Sequence, residues 1–206
     1  ALARLADCHG AGDQSRLWTT YAVLALKACY CQGELYSRAG LRQARFLTER
    51  AAADGNIDAR AVDALYSVRL GEVENADRQL AELPPDHWRA CQARALVYRL
   101  RGDRERAIAA LDAAADFAPA AARSGVLNTL GNWLCHYRRE EEAMDAYMAA
   151  TEDNPLNAWA WQNVSLLHFD RREIEESRIT NQRALGITEF QAARDLAKLL
   201  EHPPAA

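Results

Sequence analysis

The stretch Ser124-GVLNTLGNWLCHYRREEEAMDAYMAATEDN-Pro155 decides the fold. Leu127, Leu130 and Leu134 recur at spacings of three and four, the signature of one apolar helical face. A basic turn at Arg138-Arg139 follows, and then the acids Glu140, Glu141 and Glu142 open a second apolar run. Bases at the end of one helix and acids at the start of the next both complement the helix dipole. The segment therefore reads as a helix, a tight turn and a second helix, closed by Pro155, which cannot continue it.

The same pattern recurs. Arg101-Gly102-Asp103-Arg104-Glu105-Arg106-Ala107 precedes it, and Arg171-Arg172-Glu173-Ile174-Glu175-Glu176-Ser177 follows. A fainter copy is Arg69-Leu70-Gly71-Glu72-Val73-Glu74-Asn75-Ala76. The small residues Ala76, Ala107, Ala143 and Ser177 are 31, 36 and 34 positions apart, which lets helix backbones approach once per repeat. Four residues on stand Leu80, Leu111, Tyr147 and Asn181, the first three bulky apolar groups aimed at the partner helix. Asn56, Asp86 and Asn157 stand where N-caps are needed, and Pro84-Pro85 and Pro119 end helices. No run alternates with period two, so strands do not compete.

The order Leu127, Leu130, Gly131, Leu134, Ala143, Tyr147, Ala150, Pro155 resembles the tetratricopeptide-repeat family. Tyr98, Gly102, Ala107, Leu111, Ala114 and Pro119 make a second good match. Ala64, Gly71, Ala76, Leu80 and Leu83 are fainter, as are Trp161, Val164, Ser165 and Ala184, and a distant copy places Gly33 in its turn and Ala39 at the packing position. The resemblance implies an all-α, right-handed α-solenoid of stacked antiparallel helix pairs. We expect one domain over 1–206, with repeats near 15–53, 57–85, 88–119, 124–155 and 158–187 and a closing helix at 189–201 that carries Leu196, Leu199 and Leu200 and is cut by Pro203-Pro204. Residues 1–9 read as the second helix of a repeat whose beginning is missing.

In this family the first helix of each pair lines a concave groove that holds a polypeptide. That implies first helices at about 16–31, 57–69, 87–100, 124–137 and 158–169. Asn128, Asn132 and Asn163 then face the groove, where an amide can both donate to and accept from a peptide unit. Gln92, Arg99, Trp159 and Gln162 are further candidates. Trp161 fits the packing position, which leaves Trp159 as an aromatic anchor, while Trp18, Trp88 and Trp133 read as core. Some members clamp a partner's terminal carboxylate with a Lys and an Asn on one helix, an Asn on the next and two bases on a third. Asn128, Asn132, Asn163, Arg194 and Lys198 approximate that set, with Asn128 where the Lys would stand.

Half of the 206 residues are hydrophobic and about a quarter charged, the balance of an ordinary globular chain. A net charge of -4 argues against nucleic-acid binding, which needs a basic face, and no apolar run reaches the roughly 20 residues of a membrane span. The five cysteines, Cys8, Cys29, Cys31, Cys91 and Cys135, are odd in number and lack a Cys-x-x-Cys pair. They read as buried reduced thiols of a cytoplasmic protein. His9, His87, His136, His168 and His202 are scattered, with no metal-ligand spacing, phosphate loop or nucleophile elbow. The expectation is a non-enzymatic binding module for a protein or peptide partner, without cofactor or metal, in which pairing of copies stays open. An adaptor, an assembly factor and a secretion-type chaperone all fit. Two rivals remain at this point: a structural subunit packing through its outer faces, and a regulatory segment of a larger enzyme. The Met-less start at Ala1, inside helix-like sequence, keeps the second open and leaves room for a removed signal peptide.

Overall fold

In the computed structural model, residues 15–21, 23, 38–53 and 55–201 are described. The expectations for residues 1–9, for Cys8, Cys29 and Cys31, for His9 and His202, for Gly33 and for Pro203-Pro204 lie outside them, as does the side chain of Ala39. Residues 15–21 are helical. Ten longer helices follow: α1 (Arg38–Ala53), α2 (Ile57–Leu70), α3 (Val73–Ala81), α4 (Trp88–Leu100), α5 (Arg104–Phe117), α6 (Ala120–His136), α7 (Glu140–Asp153), α8 (Ala158–Asp170), α9 (Ile174–Ile187) and α10 (Gln191–Glu201). No strand occurs among the described residues. The fold is all-α, and the helices pack on their chain neighbours in pairs. The chain divides into two compact units, Ala1–Ala114 and Ala115–Ala206.

In the first unit, Ala61, Ala64 and Val68 of α2 meet Ala76 and Leu80 of α3 and Ala90, Ala93 and Val97 of α4 in one buried cluster. So many alanines bring helix axes close. Arg94 of α4 donates to the carbonyls of Leu80 (3.0 Å), Leu83 (3.1 Å) and Pro85 (3.2 Å), closing α3 where Pro84 and Pro85 have no amide protons to offer. Asp63 of α2 sits in a polar seam. It accepts from Arg45 Nε (2.9 Å), Thr48 Oγ1 (3.0 Å) and Gln79 Nε2, and Arg45 reaches on to Glu72 (2.6 Å). A cavity of about 340 Å³ lined by Arg60, Asp63, Arg78 and Gln79 opens beside this seam.

In the second unit α6 packs on α7, α7 on α8, α8 on α9 and α9 on α10. The small residues Ala76, Ala107, Ala143 and Ser177 are all fully buried. Where the last repeat replaces Gly and Ala by Ser165 and Ser177, each hydroxyl donates to the other's backbone carbonyl, at 2.7 and 2.9 Å. Two serines thus join helices that glycine and alanine join elsewhere. The closing helix α10 buries Ala193, Leu196 and Leu200, while Leu199 is half exposed at 52 %. Asn181, at the bulky apolar position, is buried and donates to Ala193 O at 2.9 Å.

Asn56 and Asn157 cap α2 and α8 by accepting from Ala59 N (3.0 Å) and Ala160 N (3.2 Å). Their amides also donate backwards, to Ser15 Oγ (2.9 Å) and Ser124 Oγ (2.8 Å). Those hydroxyls in turn donate to Ala51 O (3.4 Å) and Ala150 O (2.7 Å). One cap therefore also ties successive repeats, once in each unit. Asp86 does not cap α4: the N-cap position is His87, without a side-chain bond, because the helix begins one residue later than expected. Likewise α6 starts at Ala120, behind Pro119, four residues before Ser124.

Candidate functional site

The turns that set helix on helix need a left-handed residue. Gly71 (φ 82°) and Gly102 (φ 78°) supply it in the first unit, and Arg138 (φ 62°) and Arg172 (φ 65°) adopt it in the second. In the second unit, side chains of α8 reach those of α6, the first helix of the preceding pair: Asn157 bonds Ser124, and Asn163 bonds Asn128.

On α6, Asn128 is half-buried and Asn132 exposed, one turn apart. Asn163 of α8 bridges them: its Nδ2 donates to Asn128 Oδ1 at 2.9 Å and to Asn132 Oδ1 at 3.1 Å. Asn132 Oδ1 also accepts from the Tyr147 hydroxyl at 2.8 Å. Tyr147 comes from α7 and can reach because residue 131 is glycine. A Cβ there would lie 2.4 Å from the tyrosine ring. Burial, together with the neighbouring Cys135 thiol, pushes the phenol well above its ordinary pKa, so it stays a neutral donor. Burial likewise raises the thiols of Cys135 and Cys91. Both are free, Cys91 buried as expected but Cys135 only half-buried.

Trp159, Asn163 and Leu166 follow at spacings of four and three and share one stripe of α8. Trp159 is 56 % exposed, yet it is not a free anchor, because its ring stacks on Phe190 with centroids 4.5 Å apart. Trp161 packs as anticipated, donating to Pro155 O at 2.9 Å under the Arg183 guanidinium. Trp133 is core, while Trp18 and Trp88 are half-buried, each under an arginine, Arg50 and Arg89.

Gln162 requires a correction: it does not face outward. It is 2 % exposed and lies on the neighbouring stripe with Ala158 and Ser165, both buried. One residue along a helix turns a side chain by about 100°, which separates it from Asn163. Its amide has no partner among the described residues.

Arg194 and Lys198 are exposed on α10; Arg194 is within 3.5 Å of Glu189, and Lys198 has no ion pair among the described residues. Gln92, half-buried, and Arg99, exposed, stand two turns apart on α4 of the first unit. The sequence reading missed Tyr147, Leu166 and Phe190. The 159, 163, 166 spacing would have found Leu166, whereas the Tyr147 contact needed the fold. Among the described residues no cluster of His, Cys, Asp and Glu could hold a metal ion, and no helix is long and apolar enough to cross a membrane.

No protein-family model matches the sequence, and no curated protein does. Solved structures do. The chain is similar to PilF of Pseudomonas aeruginosa (18% identity, TM-score 0.64, covering 92% of this chain and 86% of that one). It is also similar to a thermophilic TPR protein of Thermus thermophilus (16% identity, TM-score 0.62, 89% and 98%). A third is YrrB, described as a TPR protein with an unusual peptide-binding site (16% identity, TM-score 0.56, 88% and 91%). Paired helices, small residues buried at each crossing and these neighbours together give the chain the tetratricopeptide-repeat fold.

Proposed function

We propose that this chain is a protein–protein interaction module that holds a polypeptide segment of its partner against the face built by α6 and α8. The observation that carries the reading is the bridge from Asn163 to Asn128 and Asn132 across two helices. Asparagine in a helix interior costs up to about 0.7 kcal/mol against alanine, so three in mutual contact on an accessible face favour a polar binding role. Trp159, stacked on Phe190, and Leu166 add apolar area beside the amides, the mixture that suits an extended peptide with alternating side chains. Arg194 and Lys198 on α10 extend the surface toward an acidic or carboxylate-bearing segment. Gln92 and Arg99 on α4 are candidates for a contact surface of the first unit, taken by itself.

The reading draws support from YrrB, a neighbour whose description includes a peptide-binding site. Among the roles open to such a module are adaptor, assembly factor and chaperone. The test is capture of a partner from native lysate with the wild type and with an Asn132→Ala/Asn163→Ala double variant. The specific partner should be lost with the double variant while helicity is kept. Retention of the same partner would move recognition to the outer faces, as in a structural subunit.

A further inference from the structure

We propose that Tyr147 is a positioning residue: its hydroxyl, reaching in from the second helix of its pair, orients the asparagine bridge so that amide N–H donors face outward and select hydrogen-bond acceptors in the partner. This rests on the reading of that bridge as the binding surface, and deepens it. The argument is an accounting of protons and lone pairs. Asn132 Oδ1 has two lone pairs, and both are taken, by Tyr147 and by Asn163. Asn163 Nδ2 has two protons, and both are given, to Asn128 and Asn132. What remains is Nδ2 of Asn128, Nδ2 of Asn132, both lone pairs of Asn163 Oδ1 and the second lone pair of Asn128 Oδ1. Among the described residues none of these has a partner, and none is a buried orphan. The face thus offers four N–H groups against three lone pairs on two oxygens, with the Asn132 oxygen wholly turned inward.

The polarity follows from the tyrosine. A neutral phenol held among apolar groups must place its proton on something. The alternative acceptor beside it is the Cys135 sulfur, a much weaker one than an amide oxygen. If Asn132 turned its nitrogen inward, the phenol proton would be left to that sulfur and the Asn163 bridge would break with it. Gly131 keeps the ring close enough for the bond to persist. A donor-rich face of this kind accepts backbone carbonyls or a carboxylate and disfavours a lysine ammonium.

The experiment follows the side-chain amide resonances of Asn128, Asn132 and Asn163 in ¹⁵N-labelled protein during titration with three small probes. N,N-dimethylacetamide accepts only and is neutral, acetate accepts only and is charged, and methylammonium donates only. Shifts of the Asn128 and Asn132 amides by both acceptors support the proposal and point to peptide carbonyls; shifts by acetate alone support it and point to a carboxylate. Tyr147→Phe should keep the melting temperature within a few degrees and weaken the acceptor response about 2- to 10-fold, the worth of one net hydrogen bond. Asn132→Asp keeps both inward contacts, removes two outward donors, and should also lose the neutral acceptor's response. Equal shifts with methylammonium overturn the proposal, and so does a folded Tyr147→Phe protein with an unchanged response. If the double asparagine variant loses its partner while Tyr147→Phe changes nothing, the tyrosine's role falls and the binding surface stands. If the partner persists on the double variant, the surface itself is wrong.

Discussion

Replacing Gly131 by alanine puts a methyl group where the Tyr147 ring already lies. The new Cβ would be 2.4 Å from Cε1, 2.6 Å from Cδ1 and 2.9 Å from Cζ of that ring. Carbon atoms rest at about 3.5–4.0 Å, so the ring must retreat by about 1 Å or α6 and α7 must part. Overpacking of this kind costs about 1–3 kcal/mol. Retreat also stretches the 2.8 Å bond from Tyr147 to Asn132, worth about 0.5–1.5 kcal/mol net. Alanine's better helix propensity returns about 1 kcal/mol. The variant should therefore be less stable than wild type by about 0.5–3.5 kcal/mol. Gly125 lies in the same helix with nothing within 4 Å of its would-be Cβ. Gly125→Ala should accordingly gain about 0.5–1 kcal/mol. Urea denaturation followed by circular dichroism reads both against wild type. Equal stability of the two alanine variants would refute the claim that Tyr147 occupies the space above residue 131.

Three further outcomes follow from particular residues. Gln162→Met should be neutral or stabilising by about 1–2 kcal/mol, because it relieves a buried amide with no partner; a loss above about 1 kcal/mol in urea denaturation would mean that the amide is satisfied after all. Arg138→Gly should stabilise by about 0.5–1 kcal/mol by removing a side chain from a left-handed position, and thermal unfolding should show an upward shift. A lower midpoint would show that the arginine side chain matters more than its backbone. Asp58 is held below the usual carboxylate range by its hydrogen bond to His87, opposed by burial and helped by Arg89. With the folded value below the unfolded one, its contribution is complete above about pH 4 and lost as pH falls through the depressed value. Urea midpoints should thus drop from pH 5 to pH 3 more in wild type than in Asp58→Asn, and parallel curves would sink this attribution.

Much of the architecture was legible because repeats are local. Bases, a turn and acids at a period near 34 mark helix pairs wherever they occur, and alanine or serine at the crossing has few other uses. Asn56 and Asn157 were legible as caps for the same reason, since capping depends on four consecutive residues. Their second bond, to a serine 41 or 33 positions earlier, was not, because nothing local specifies it. Gln162 was named a groove candidate because it stands on the first helix of its pair; the register of α8 instead turns it onto the buried stripe with Ala158 and Ser165. Asp86 failed as a cap because it lies inside the turn closed by His87 N on Pro84 O at 3.3 Å, so that the helix starts only after His87. The asparagines were visible as unusual residues, but that they touch one another required α6 and α8 to be side by side.

The most direct test of the account is hydrogen–deuterium exchange of the chain with and without the partner recovered on it, read by mass spectrometry. Binding at the proposed face should slow exchange in α6 and α8, including peptides carrying Asn128, Asn132 and Asn163, and leave α7 and α9 largely unchanged. Protection confined to α7 and α9, with α6 and α8 exchanging as in the free protein, would contradict it.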